Sequence, residues 1–402
     1  MTDTQKLLLE VLSIQYNKAR KSLELTASEW ISILTEAKYQ ATFLAAYSLL
    51  PDSLTSDSNF SEFERYKHYC IASNVRNLYY HNELHKLLCN EDIDYVVLKG
   101  QASAHYYPDP SVRLMGDVDF YVCKGSIERI DSLFQKQGFV RRQSADRHPF
   151  HWGYDKNKTS FEMHWGLPGM PENNSTLDKL MSNLLEERRL LQDSGKAFYI
   201  PSQFHHGLIL LLHSIAHLTS WGIGLRHLYD WIVFENSFDE NEFVDMFEQS
   251  LKNIGLWKYA QILSRTGSIY LGGKERDWCK EIDESVCKSL INDVLAGGNF
   301  GSNDSTRRSQ TKFFRDNKTR EIKDGHVIRN ILTNLDVKSK RDYPLSGKCI
   351  LLKPVAWTMV AGGHIFRVVR GKNHNELNRQ IYNAARSRQR LYSAMELFVP
   401  ED

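Results

Sequence analysis

The chain has 402 residues, enough for two or three domains of ordinary size, each with its own core. A hydrophobic share of 42% and a charged share of 25% exclude a disordered or fibrous protein. A formal net charge of +2 argues for no nucleic-acid or membrane partner by itself.

The first 90 residues are predicted to be all-helical. The opening MTDTQKLLLEVLSIQ has neither a basic n-region nor a long apolar h-region nor a cleavage-like run of small residues, so no secretory signal is expected and the cytoplasm is the expected compartment. Thr26 and Glu29 have the spacing of a capping box ahead of Trp30, Ile31, Ile33, Leu34 and Ala37. Pro51 and the run 52–59 read as a loop, and a long helix is predicted from about Phe63 to Leu88.

A different pattern begins at Asp92. DIDYVVLKG is a short β-branched run ending in glycine, a strand followed by a turn at Gly100. Tyr107, Pro108 and Pro110 forbid a long helix in the connection, and Arg113 leads into Gly116 and the strand Asp117 to Val122. Asp117 and Asp119 are two apart, so a strand turns both carboxylates to one face. Two like charges so placed are costly unless a cation offsets them, and Mg²⁺ is the natural choice. Ser126 to Gln137 is predicted as a helix ended by Gly138, and Phe139 to Arg142 as a strand. His151 to Trp165 reads as a hairpin with its turn at Lys156, Asn157 and Lys158, in which Glu162 and His164 share one face. A third carboxylate is thereby expected beside the first two.

Thr176 to Glu187 is predicted to be helical, and after Pro201 most of the chain is. Ser202 is the expected cap of a helix reaching about Leu218, along which His206, His213 and His217 fall in one stripe. Zinc is one reading of that stripe, but no glutamate follows His213 in the H-E-x-x-H manner, and core or cleft-lining histidines fit its apolar setting better. Gly222 and Gly224 mark a turn into a helix from Leu225 to Phe234, with Arg226 and Asp230 spaced as an i, i+4 pair. The polar stretch 297–345 reads as a loop or lid, and its basic part from Arg307 to Arg341 fits a solvated face better than a nucleic-acid surface. The apolar run 349–369 is broken by Lys353, His364 and Arg367, short of the about 20 apolar residues that span a bilayer, so a buried or amphipathic helix is expected and no membrane contact. The tail 375–397 reads as an arginine-rich amphipathic helix. Cys70, Cys89, Cys123, Cys279, Cys287 and Cys349 have no C-x-x-C or zinc-knuckle spacing and read as free thiols.

Taken together, LKG at 98–100, YPDP at 107–110, Arg113, GDVD at 116–119, Glu162 to Trp165 and GLRHLYD at 224–230 resemble the bacterial family of uncharacterised nucleotidyltransferases, within the polymerase-beta-like superfamily, over roughly residues 20 to 300. The resemblance implies an α+β fold: a small mixed β-sheet nucleotidyltransferase core at 91–200, an N-terminal helical segment at 1–90, a helical domain at 201–300 completing the cleft, and the basic loop and C-terminal helices at 301–402. It implies transfer of a nucleoside monophosphate from an NTP, such as ATP, to an acceptor that no residue identifies, small molecule or macromolecule. Two Mg²⁺ ions, held by Asp117, Asp119 and Glu162, are the expected cofactors. Lys99 and Arg113 would clamp the triphosphate, the Gly100 and Gln101 turn and Gly116 would admit it closely, and His164, His213 and His217 would face the nucleotide. In the superfamily serine commonly follows the turn glycine; Gln101 stands there instead, which fits the alternative of a nucleotide-sensing or partner-binding protein that kept the fold without turnover.

Overall fold

The computed structural model describes residues 1–16, 23–142, 150–171, 174–193, 195–304, 352–360 and 374–401, with the single positions 306, 307, 310, 339 and 343. Apart from three of these positions, the basic stretch expected between 307 and 341 lies outside the described residues.

The first helices form where the sequence caps them. Thr26 Oγ1 accepts from the Glu29 backbone N–H at 3.3 Å, and Glu29 Oε2 accepts in return from the Thr26 N–H at 2.8 Å, closing the capping box of the helix Ala27–Tyr39. That helix buries Trp30, Ile33, Leu34 and Ala37 at helical spacing. After the helix Phe43–Tyr47, the long helix Ser61–Cys89 runs alongside the sheet.

The sheet contains β1 (Tyr95–Val97), β2 (Val118–Val122), β3 (Val140–Arg141), β4 (His151–Lys156) and β5 (Thr159–His164), in the spatial order β1-β2-β5-β4-β3. β1 and β2 are antiparallel, as are β4 with both β3 and β5, and β2 with β5 is the parallel pair. Asn157 and Lys158 both have positive φ, 48° and 64°, in the two-residue turn that joins β4 to β5. The core face carries Val118, Phe120, Val122, Phe161 and Met163, all at 0% exposure, packed with Ile130 and Phe134 of the helix Ile127–Lys136. That commits the alternate residues of β2 and β5 to the opposite face.

The helix expected over 176–187 is shorter, Ser175–Met181, and the chain then makes a hairpin of β6 (Arg189–Asp193) and β7 (Lys196–Ile200). RLLQD has no β-branched residue and gives little strand signal, so its pairing is decided by partners distant in sequence. β7 is held through the Tyr199 N–H donating to the Tyr95 hydroxyl at 3.4 Å and the Ala197 N–H donating to Asn82 at 3.1 Å.

The helices Gln203–Leu218, Leu225–Glu235, Glu240–Ile254, Trp257–Tyr270 and Glu284–Gly297 follow, and their apolar faces share one core with the N-terminal helices. The last helix is His374–Met395. Among the described residues no helix is long and apolar enough to cross a membrane. Cys70, Cys89, Cys123, Cys279 and Cys287 are free thiols.

Candidate active site

In the parallel pair, Asp119 lies opposite Glu162 and Tyr121 opposite His164. Asp119, Glu162 and His164 therefore leave the sheet together on the face away from the core, and Asp117, two residues before Asp119, joins them from the edge of β2. Asp119 is 6% exposed. One of its oxygens receives Lys99 Nζ at 3.1 Å and His164 Nε2 at 3.1 Å. The same His164 nitrogen is 3.4 Å from Glu162, whose other oxygen is 3.8 Å from His151 Nε2.

These contacts set opposite electrostatics on neighbouring carboxylates. Burial, with Asp119 and Glu162 close by, pushes the Asp117 carboxyl up to about 6 against the partial relief of Lys99 and Arg142. Burial would raise Asp119 as well, but the Lys99 ammonium and the His164 hydrogen bond outweigh it and hold Asp119 below the usual carboxylate range. For Glu162, too, burial is the largest influence and is overcome by the bond from His164, leaving the group lowered. His164 is raised, because its hydrogen bonds to the two carboxylates outweigh its burial. Asp117 is thus the acid whose charge is least compensated.

Lys99 reaches Asp119 because the Leu98 N–H donates to the Asp119 carbonyl at 2.9 Å and ends β1 beside it. Gly100 follows at φ +60°, ψ −109°, a left-handed conformation that strains any residue with a Cβ. Two asparagines of the long helix hold the loop ahead of β2. Asn74 bonds the Met115 N–H at 2.9 Å and the Arg113 carbonyl at 2.8 Å, and Asn77 bonds the Gly116 carbonyl at 3.0 Å. Gln101 donates from its amide to Asn77 Oδ1 at 3.4 Å.

Arg113 is 6% exposed and binds Asp230 in a fork, Nε to Oδ1 at 2.8 Å and Nη2 to Oδ2 at 2.7 Å, while the Tyr107 hydroxyl adds a third bond to Asp230 at 2.7 Å. Asp230 is therefore the partner of Arg113. The i, i+4 spacing with Arg226 does not mature into an ion pair; the Asp230 carboxylate is held by the planar fork of Arg113 and the Tyr107 hydroxyl. Arg226 instead donates to the Leu114 carbonyl at 3.3 Å and lies over the Phe300 ring at 5.7 Å.

A cavity of about 260 Å³ opens between the sheet and the helices, lined by Lys99, Gly100, Arg113, Gly116, Asp117, Asp119 and, from the other wall, His213, Arg226, His227 and Phe300. Of the residues singled out from sequence, His217 stands one turn beyond His213 with ring centres 4.4 Å apart, while Glu162 and His164 sit beneath the floor at Asp119. His206 points elsewhere, stacked on Tyr106 at 5.0 Å and against Phe234 at 5.3 Å. Arg226, read from the sequence as a helix pair with Asp230, lines the cavity instead; His227, His151 and Phe300 were not anticipated. The signal for His227 was present: the turn at Gly222 and Gly224 returns the chain at once, so a residue early in the second helix faces the end of the first.

Fold and site together define a mixed α+β protein whose parallel strand pair brings three carboxylates together, with Asp117 and Asp119 lining a cation-lined cavity and Glu162 beneath its floor. Residues 26–265, well over half of the chain, match the family model described as Uncharacterised nucleotidyltransferase, and the protein belongs to that family. That membership supports nucleotidyl transfer as its general activity and an NTP as its substrate. No curated protein and no solved structure matches the chain.

Proposed function

We propose that the protein is a Mg²⁺-dependent nucleotidyltransferase built on the polymerase-beta-like plan, in which an acceptor attacks the α-phosphorus of an NTP and pyrophosphate leaves. The observation that carries the reading is the register of β2 on β5, which puts Asp119 directly opposite Glu162 with Asp117 two residues away. The donor set fits Mg²⁺: hard carboxylate oxygens, one of which, on Asp117, is pushed up to about 6 by burial and like charge and gains most from a cation. Asp117, Asp119 and Glu162 would hold the metal, which when bound supplies charge neutralisation at the phosphate oxygens and activates the attacking group.

The chain's own side chains supply the rest. Lys99 balances Asp119 at 3.1 Å and is the cation positioned to pass from that carboxylate to a phosphate. Arg226 has no carboxylate within ion-pairing distance among the described residues and faces the cavity, so it is the guanidinium open to a triphosphate. Arg113 acts through Asp230, fixing the loop that leads into β2 to the opposite wall. The Gly100 turn admits a phosphate close to the backbone, and His213 and His217 face the nucleotide from the helical side. Glu162 completes the metal set or takes the acceptor's proton.

A second reading, a nucleotide-sensing protein without turnover, is favoured by the Lys99 contact, which gives Asp119 a cation of its own, and by Gln101 in place of a phosphate-binding serine. Purified protein incubated with labelled NTPs, Mg²⁺ and candidate acceptors decides between them. Pyrophosphate release that vanishes in Asp117→Ala and Asp119→Ala supports the transferase, and thermal stabilisation by nucleotide without release supports the sensor. Absence of any Mg²⁺- or nucleotide-dependent shift in the wild type sinks both.

A further inference from the structure

His213, His217 and His227 each offer a ring nitrogen, and the three nitrogens lie within 4.8 Å of one another. The ring centres are 4.4 Å apart for His213 and His217, 5.5 Å for His213 and His227 and 5.6 Å for His217 and His227. His213 and His217 are one turn apart on one helix, and His227 comes from the next helix, Leu225–Glu235, across the turn at Gly222 and Gly224. Gly224 makes that arrangement feasible, since a Cβ there would come within 2.8 Å of the Asn299 backbone, which leads into Phe300. The Phe300 ring then closes one side of the group at 4.6 Å from His217 and 5.3 Å from His227.

Four of the six ring nitrogens are without hydrogen-bond partners. His213 Nδ1, His217 Nδ1 and both nitrogens of His227 are buried and make no hydrogen bond. Native structures rarely leave several buried polar atoms so close together unsatisfied, and each is costly unless something occupies the space between them. Burial, with Lys99 and Arg226 nearby, holds all three rings well toward the neutral form, the form in which imidazole binds metal.

We propose that His213, His217 and His227 bind one transition-metal ion of the zinc type, with an open fourth position facing the cavity and taking an anionic oxygen. Three protein nitrogens plus one exchangeable position is the arrangement of a reactive rather than a purely structural zinc centre. Imidazole selects zinc-type ions where carboxylates select Mg²⁺, so the two walls of one cavity are chemically sorted for different metals. Bond lengths of about 2.0–2.1 Å require the rings to draw together by about an ångström on loading, a side-chain adjustment. Lys99 and Arg226 would oppose a lone dication there, and an oxyanion in the fourth position offsets them. Ion and phosphate are therefore expected to bind in mutual support. Only the identification of that anion as the triphosphate rests on the transferase reading; the ion's binding stands apart from it.

The test uses the full chain without tag histidines, stripped with a chelator and titrated with Co²⁺ and with Zn²⁺ in the presence and absence of pyrophosphate. Expected are one equivalent of tightly held ion, intense visible Co²⁺ bands of a four-coordinate site, tighter binding with pyrophosphate, and resistance to excess Mg²⁺. His217→Ala and His227→Ala should weaken binding at least about tenfold, whereas Asp119→Asn should retain it. X-ray absorption of the Zn²⁺-loaded wild type should find three imidazole nitrogens, a readout that survives if the histidine variants fail to fold. The proposal is overturned if no stoichiometric ion binds, if Mg²⁺ displaces it, if the histidine variants bind as the wild type does, or if Asp119→Asn removes the ion as they do. Loss of transferase activity with intact zinc binding would count against the transferase alone.

Discussion

Asp117→Asn is expected to stabilise the metal-free protein at neutral pH. The carboxyl ordinarily titrates near 3.8 and is pushed up to about 6 in the fold by burial and by the charges of Asp119 and Glu162. The folded state therefore binds the proton more tightly than the unfolded chain does. Between the two values the native state holds more protons, so this group's contribution is most favourable below 3.8 and is lost as pH rises through about 6. A displacement of about two units corresponds to roughly 3 kcal/mol above pH 6. With about 2.1 cal/mol/K of unfolding entropy per residue, a chain of this length shifts by ~3–4 °C for that change. Melting curves in chelator should show the variant higher than wild type by about that much at neutral pH and nearly level with it near pH 4. Saturating Mg²⁺ should raise the wild type and leave the variant unmoved. A variant no more stable than wild type at neutral pH, with an unchanged pH profile, would refute the claim that Asp117 carries uncompensated charge.

Arg113→Ala removes one half of a buried pair and leaves Asp230 without its fork, so a loss of about 3–5 kcal/mol in chemical denaturation is expected. Arg113→Lys should recover little of it, because an ammonium cannot make both bonds to Asp230; full recovery would show that charge alone matters there. Arg226→Ala should leave the melting temperature nearly unchanged, since it breaks no ion pair, and raise KM for the NTP about tenfold or more, equivalent to at least ~1.4 kcal/mol. An unchanged KM would remove Arg226 from the nucleotide site.

Much of the acid centre is written locally. Alternation in Asp117 to Val122 and in Thr159 to His164 is enough to put Asp119, Glu162 and His164 on faces opposite to Phe120, Phe161 and Met163, because strand periodicity depends only on neighbours in sequence. The Gly100 turn, the capping box at Thr26 and Glu29, and the helices of the C-terminal half are legible for the same reason. Local spacing misled at Arg226 and Asp230. Both stand on one helix at the right interval, yet Asp230 is taken by Arg113, 117 residues earlier, whose planar fork and buried setting give the stronger bond.

The sequence by itself determined which residues are acids on one strand face and which elements carry them. Only the tertiary structure decided that β5 lies parallel beside β2, that Lys99 leans on Asp119, and that His227 meets His213 and His217 beside the cavity that Arg226 lines. Strand order, ion-pair choice and the meeting of two helix ends are settled by which apolar faces are buried against each other, and that competition among distant segments leaves no periodic trace in the chain.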